Sequence, residues 1–404
     1  MKSKQIQEFK ETEIGKIPID WEVKKMQMLF HIFAGGDLSK ISFSKTKSNE
    51  YKYPVYSNTI DNKGIYGFSK EYQYEPECVT ITARGVNTGR AECRKEPFSA
   101  IVRLLVLKPK QKLSCYFITN FINTKLNFPH VGSAQNQLTA PMLSETLAIF
   151  PPLDEQEKIG KTLDDLDAKI ENLQNQNHTL EQMAQVIFKS WFVNFDGVTE
   201  WDDSELGKIP KGWCVMKISD ICETFGGGTP STKNPNYWNG QNHWLVPRDL
   251  TSSDRMFCVD SERMITDEGL QNCASQMHPE NSIFMTSRAT IGAFCINKIP
   301  VATNQGFIVS RPKNPNHLYY IFLNFCNRVD EFIQEANGST FLEISRSNFR
   351  QLPVLVPSSE IIENFQTKAK LLFENIFNNE KMIVALTKTR DALLPKLMSG
   401  EIRV

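Results

Sequence analysis

Between residues 40 and 72, Lys40, Lys45, Lys47, Lys52, Lys63 and Lys70 alternate with Tyr51, Tyr53, Tyr56, Tyr66, Tyr72 and Asn58. Ammonium groups neutralise phosphate, while Asn and Tyr hydrogen-bond to bases and sugars, so the pattern suits nucleic-acid contact. Arg84, Asn87, Arg90 and Arg94 follow on a glycine-bearing loop, and the planar guanidinium is the usual bidentate reader of guanine. A second polar set begins past residue 226. Thr229, Ser231, Lys233 and Asn234 lead to Tyr237-Trp238, and Arg248, Arg288, Thr290, Asn304 and Gln305 add further donors and acceptors. Singly, each of these is what any solvated surface carries, and the aromatics suit a core equally well. The signal is collective, and it does not separate DNA from RNA or protein.

Catalytic chemistry is not legible. Gly160-Lys161-Thr162 imitates the end of a phosphate loop, but Glu155 stands where the first glycine belongs and no strand feeds the segment. Asn234-Pro235-Asn236-Tyr237 imitates a DNA amino-methyltransferase loop with the wrong third residue, and Phe225-Gly226-Gly227-Gly228 upstream lacks the strand–Gly-x-Gly–helix context of a cofactor site. Its expected fate is a turn. The six histidines form no metal-ligand spacing. No catalytic, metal or cofactor site is expected in this chain. The nine cysteines contain no Cys-x-x-Cys pair and read as reduced thiols in a cytosol. No apolar run approaches the length of a membrane span.

The 404 residues suffice for two or three domains, and 40% apolar with 23% charged side chains is ordinary for a globular protein. Lys and Arg balance Asp and Glu at 46 each, which would exclude a basic nucleic-acid binder if the charge were evenly spread. The balance is an average. Residues 1–153 are net +7, residues 154–200 net −6, residues 201–357 net −2 and residues 358–404 net +1.

An internal repeat explains the segments. Residues 13–25 reappear at 205–217 with eight of thirteen positions identical, including Gly15/Gly207, Pro18/Pro210 and Trp21/Trp213. Further anchors are Phe33-Ala34-Gly35-Gly36 with Phe225–Gly228, Thr82-Ala83-Arg84 with Thr286-Ser287-Arg288, and Gly132-Ser133 with Gly338-Ser339. Each half ends in an a/d heptad seam. The first runs Ile159, Leu163, Leu166, Ile170, Leu173, Asn177, Leu180, Ala184, Ile187, Trp191. The second runs Ile362, Phe365, Ala369, Leu372, Ile376, Asn379, Ile383, Leu386, Arg390, Leu393, Leu397, with Pro395 expected to end or kink the helix near Leu394. Paired antiparallel, the seams bring Asn177 and Asn379 within about one turn, where a buried polar pair can fix register. A 154–191 helix would be about 57 Å long, an upper bound on the spacing it can set.

Cys78–Thr82, Ala100–Leu107, Ser282–Thr286 and Gly306–Ser310 read as strands, and Tyr116–Leu126 and Leu318–Ile333 as helices. The expected fold class is α/β (α+β): two tandem globular domains separated by two long antiparallel coiled-coil helices, with a pseudo-twofold from the duplication. The expected boundaries are 1–153 and 197–357 for the two globular domains, and 154–196 and 358–404 for the two helical spacers.

The chain resembles the specificity (S) subunits of type I restriction–modification systems. The resemblance rests on Gly-Lys-Ile-Pro-x-x-Trp at 15–21 and 207–213, residues 151–159, Ile187–Phe192 and the terminal segment 393–404. The stretch Gly227–Trp238 resembles a common version of that family's second recognition domain, whereas Gly35-Gly36-Asp37-Leu38-Ser39-Lys40 departs from it. The resemblance implies two target-recognition domains on double-stranded DNA, reading different half-sequences. It implies two modification subunits carrying S-adenosylmethionine and adenine methylation, and restriction subunits, where present, bringing ATP and Mg. The chain itself would be non-catalytic and cytoplasmic. The alternative is a free-standing nucleic-acid or protein-binding adaptor without a methyltransferase partner.

Overall fold

The heptad seams fold as two long helices, Leu153–Phe192 of 40 residues and Ser359–Ser399 of 41 residues, each about 60 Å at 1.5 Å per residue. The computed structural model describes residues 8–37, 42–59, 61–85, 87–126, 137–252, 255–338 and 342–404. Lys40, with the rest of Leu38–Lys40, and the repeat anchors Gly132-Ser133 and Ser339 lie outside the described residues. The chain divides into two compact units, 1–170 with 385–404, and 171–384. Both long helices pass from one unit to the other.

In the first unit a hairpin, Phe9–Thr12 with Gly15–Pro18, turns at Gly15, whose φ of +106° favours a residue without Cβ. The Trp21 that follows is buried, and its indole donates to Glu155 at 2.8 Å. Arg403, near the end of the chain, closes over the same carboxylate and over Asp20 at 2.7 Å. Its guanidinium holds the Asp20 carboxyl below the usual carboxylate range. The domain core is a four-stranded sheet in the order Phe30–Ala34, Leu104–Pro109, Cys78–Thr82, Ala91–Arg94. Cys78–Thr82 is buried throughout, as a central strand covered on both faces must be. A second sheet holds Ser99–Ala100, Tyr53–Tyr56, Ile65–Ser69 and Phe43–Ser44 in that order.

The second unit repeats this plan. Trp201–Ser204 pairs with Gly207–Pro210, and a five-stranded sheet runs Cys222–Phe225, Phe307–Pro312, Ile283–Thr286, Phe294–Asn297, Phe257–Cys258. A three-stranded sheet of Arg263–Ile265, Trp238–Leu245 and Ala302–Thr303 carries the rest.

The helices pair antiparallel. In the first unit Arg390 reaches Asp167 at 2.7 Å, and in the second Asn379 Nδ2 donates to Asn177 Oδ1 at 2.9 Å, so partners move in opposite directions along the two sequences. Ile159, Leu163, Ile170, Leu173, Phe365 and Ile376 are buried in the seam, and Leu166, Leu180, Leu372, Ile383 and Leu386 are half-buried. Removing Asn379 leaves the buried Asn177 Oδ1 without its donor, so Asn379→Leu is expected to destabilise by about 1 kcal/mol. Changing Asn177→Leu as well should restore or exceed wild-type stability. Urea midpoints of the two single variants and the double variant test this, and a double variant weaker than both singles would refute it.

Three expectations are corrected. Ala100–Leu107 is not one strand: Ser99–Ala100 belongs to the second sheet and Leu104–Pro109 to the first. Between them the chain turns at Arg103, whose φ is +76°. Leu318–Ile333 divides into Leu318–Cys326 and Val329–Gln334. Asn327 folds its amide back onto Leu323 O at 2.8 Å, and Arg328 is drawn to Pro353 O at 2.7 Å, which breaks the helix. Pro395 does not end its helix, which continues to Ser399. Leu397 and Met398 are buried in the first unit's core and hold the last turn in place.

The seam also carries a buried acid. Glu380 accepts hydrogen bonds from Met256 N at 2.7 Å and Phe257 N at 2.9 Å, tying the second domain's outermost strand to the helix. Burial pushes its pKa up to about 8, against the lowering pull of those two amides and Arg255. A folded pKa above the unfolded one stabilises fully below the unfolded value and is lost as pH rises. Between pH 6 and 8.5 the wild type should therefore lose stability relative to Glu380→Gln, with a slope approaching about 1.4 kcal/mol per pH unit. Urea unfolding of both proteins at the two pH values is the measurement. Parallel curves would contradict the assignment.

Candidate nucleic-acid interface

The two units build their polar rims on matching backbone hydrogen bonds. Gly36 N donates to Ala100 O as Gly228 N does to Thr303 O, each at 2.9 Å. Ala83 N donates to Arg103 O as Ser287 N does to Gly306 O, each at 2.8 Å. Leu138 N reaches Ala83 O at 2.8 Å and Ile344 N reaches Ser287 O at 3.1 Å. Each of those segments then enters a short helix capped by a hydroxyl, Thr139 for Ala140–Glu145 and Ser345 for Arg346–Gln351. Gly35 and Gly227 are required because a Cβ on either would collide with the carbonyl of Ile101 or Asn304 respectively. The repeat is therefore a repeat of geometry.

On this frame Arg84 and Arg288 occupy equivalent sites, each one residue beyond the Ala83/Ser287 hydrogen bonds and each bridged to a loop residue, Gln137 or Glu343. Both side chains are exposed. Arg288 ion-pairs with Glu343 at 2.7 Å; the pair is solvent-accessible and thus weak enough to be exchanged for an anionic ligand. Arg84 faces the neutral Gln137 at that position.

In the first domain Asn58 lies beside Arg84, its Nδ2 donating to the Arg84 carbonyl at 3.3 Å. Asn87 shares the following turn, its carbonyl accepting from Arg90 N at 3.1 Å, and Arg90 pairs with Glu92 at 3.1 Å. Lys45 and Lys47 belong to a different surface, the second sheet, where they lie over Tyr66 at 3.4 Å and Phe68 at 5.9 Å. Lys52 over Tyr53 and Lys70 over Tyr51 continue that cation–π face.

Tyr56 is not at the rim. It is buried under Arg94, whose guanidinium lies 3.6 Å from its ring centroid, and against Phe98. Its apolar ring is more stable covered than wet, and burial raises its hydroxyl pKa. Arg94 is buried too, donating to Thr80 Oγ1 at 2.8 Å and Lys63 O at 2.9 Å.

In the second domain the rim gathers around Gly306. Asn304 Oδ1 accepts from Gly306 N at 2.8 Å, and Thr229 Oγ1 donates to Gln305 at 2.6 Å. Pro247, the first residue of the short helix bearing Arg248, packs against Gly306. Arg288 and Thr290 follow from the adjoining strand and are exposed, as are Arg248, Ser231 and Lys233. Asn234 serves the backbone: its Oδ1 accepts from Asn236 N at 3.1 Å and caps the Pro235–Tyr237 turn. Gly160, of the imitation phosphate loop, lies inside the first long helix, where a Cβ would collide with Ser114.

Sequence reasoning missed Arg103, which stands beside Ala83–Arg84 at the position of Gly306. Matching Ile101-Val102-Arg103 with Asn304-Gln305-Gly306, both just before an apolar strand, was the available signal.

This doubled frame has counterparts. A family model described as Type I restriction modification DNA specificity domain matches residues 18–182 and again 210–386. The chain belongs to that family. This specificity-family chain is 28% identical over 424 aligned positions to the Type I restriction enzyme MjaIX specificity subunit of Methanocaldococcus jannaschii, covering 98% of this chain and 97% of the relative. It is 25% identical over 328 positions to the HindI specificity subunit of Haemophilus influenzae, covering 66% of this chain and 71% of the relative. Among solved structures, the type I S subunit from M. genitalium matches with a TM-score of 0.63 at 17% identity, over 94% of this chain and 96% of that one. At that identity the likeness establishes the fold.

Proposed function

We propose that this specificity-family chain recognises a bipartite double-stranded DNA target, one half-sequence per globular domain, and assembles a methyltransferase. The observation that carries the reading is the pairing of one backbone frame with two different rims. Arg84 and Arg288 occupy equivalent positions, but Arg84 is accompanied by Asn58 and Arg103, whereas the Arg288 frame carries Thr229, Asn304 and Gln305. Equivalent frames meet the regular phosphate backbone alike, while unlike side chains read unlike bases.

The recognition domains are residues 1–153 and 197–357, and the helical spacers 154–196 and 358–404. Two modification subunits dock on the helices, whose first copy is acidic and suited to protein rather than phosphate, and two restriction subunits join where the system has them. The chain binds no cofactor of its own and performs no catalysis. S-adenosylmethionine belongs to the modification subunits, and ATP and Mg to the restriction subunits. The complex works on DNA in the cytoplasm.

Footprinting tests the reading. The expected result is protection of two separated half-sites, with methylation only after the modification subunit is added. Binding without sequence preference would overturn it. Sequence-specific binding with no methyltransferase retained in a pull-down would favour a free-standing adaptor.

A further inference from the structure

Arg103 holds a left-handed backbone conformation, φ +76°, at the turn where the first domain's chain crosses between its two sheets. A side chain with a Cβ is disfavoured there because it crowds the following carbonyl. The turn is clamped on every side. Arg103 O accepts from Ala83 N at 2.8 Å, Ile101 N donates to Tyr56 O at 3.0 Å, and Gly35 N donates to Leu104 O at 2.8 Å. The clamp explains how the conformation persists, not why arginine occupies it.

Local structure supplies no reason. The Arg103 side chain is exposed, with no ion-pair or hydrogen-bond partner among the described residues. The equivalent position in the second domain is Gly306, preceded by the polar Asn304 and Gln305. In the first domain Ile101 and Val102 take those two places, so Arg103 is the one hydrogen-bonding side chain the turn presents beside Arg84. Strain retained at an exposed position with no packing return is characteristic of functional sites.

We infer that Arg103 is a specificity-determining residue of the first domain, reading a base edge of the bidentate-acceptor kind that guanine offers in the major groove. The inference rests on the proposed DNA-recognition function. The clamped turn aims the guanidinium from a rigid base, and Arg84 one strand away contributes the second fork.

The test selects DNA from a pool of randomised duplexes with the full-length protein and whatever subunits it retains on purification. The wild type and the variants Arg103→Gly and Arg103→Lys are compared. The wild type is expected to enrich a split sequence. Both variants should bind it about 5- to 150-fold more weakly, with one half of the sequence relaxed and the other kept. The melting temperature of Arg103→Gly should be retained or raised, because glycine relieves the left-handed strain. Unchanged selection by Arg103→Gly would overturn the inference while leaving the wider reading intact. So would full rescue by lysine, or a uniform loss across all sequences with a salt dependence shallower by about one charge, since either marks a phosphate contact. A sharp fall in melting temperature for Arg103→Gly would assign the residue to the fold instead. A wild type that enriches no sequence would overturn the DNA-recognition reading itself.

Discussion

Replacing Arg84 and Arg288 together with alanine is expected to weaken binding of the cognate duplex by about 2–6 kcal/mol, against about 1–3 kcal/mol for either alone. The two arginines lie in different compact units and share no partner, so their effects should add. They should not be equal. Glu343, 2.7 Å from the Arg288 Nε, competes with DNA for that guanidinium, whereas Arg84 is opposite an uncharged glutamine. Arg84→Ala is therefore expected to cost more. Each single change should relax only the half-sequence read by its own domain. Anisotropy titrations at fixed salt with cognate and half-scrambled duplexes measure both effects. Unchanged affinity and specificity in both single variants would remove these arginines from the interface.

Trp21→Ala should have the largest effect on stability, about 3–5 kcal/mol. The indole is fully buried, packs edge-on against Phe117 at 6.4 Å and donates to Glu155 at 2.8 Å. Its loss opens a cavity and weakens the support of a carboxylate that also anchors Arg403. Trp21→Phe should cost less, since it keeps most of the volume and Arg403 still neutralises Glu155. Trp213 in the second unit packs on Phe192 and Phe195 at 6.0 and 5.7 Å and is slightly less buried at 9%, so Trp213→Ala should fall at the lower end of the same range. Urea unfolding of the three variants tests the ordering, and a Trp21→Ala protein as stable as wild type would contradict the packing.

The parts of this molecule that were legible in sequence are the periodic and duplicated ones. Heptads declare a helix pair because their period is local, and Asn177 facing Asn379 follows from the antiparallel register alone. Arg84 and Arg288 could be matched because a glycine-, proline- and tryptophan-bearing frame repeats around them. Tyr56 was misplaced because a Lys/Tyr alternation shows that faces alternate without saying which is covered; Arg94, 38 residues away, covers it. The break at Arg103 was hidden because Ala100–Leu107 reads as one β-rich run, and the change of sheet shows only in its long-range partners, Val55-Tyr56 for Ser99-Ala100 and Val79–Thr82 for Leu104–Leu107. The Asp20–Trp21–Glu155–Arg403 cluster joins residues up to 383 positions apart, beyond any pattern of spacing. The charge imbalance of +7 against −6 between the first domain and first helix was visible at once, but the Arg288–Glu343 pair, which partly neutralises the second domain's rim, was not.

Sequencing the methylated adenines in cells carrying this chain and its modification partner shows whether the two domains read one split target. Methylation is expected within two short half-sequences at a fixed spacing, with changes at Arg84 altering one half and changes at Arg288 the other. Methylation without sequence preference, or within one uninterrupted sequence altered throughout by either change, would contradict that reading.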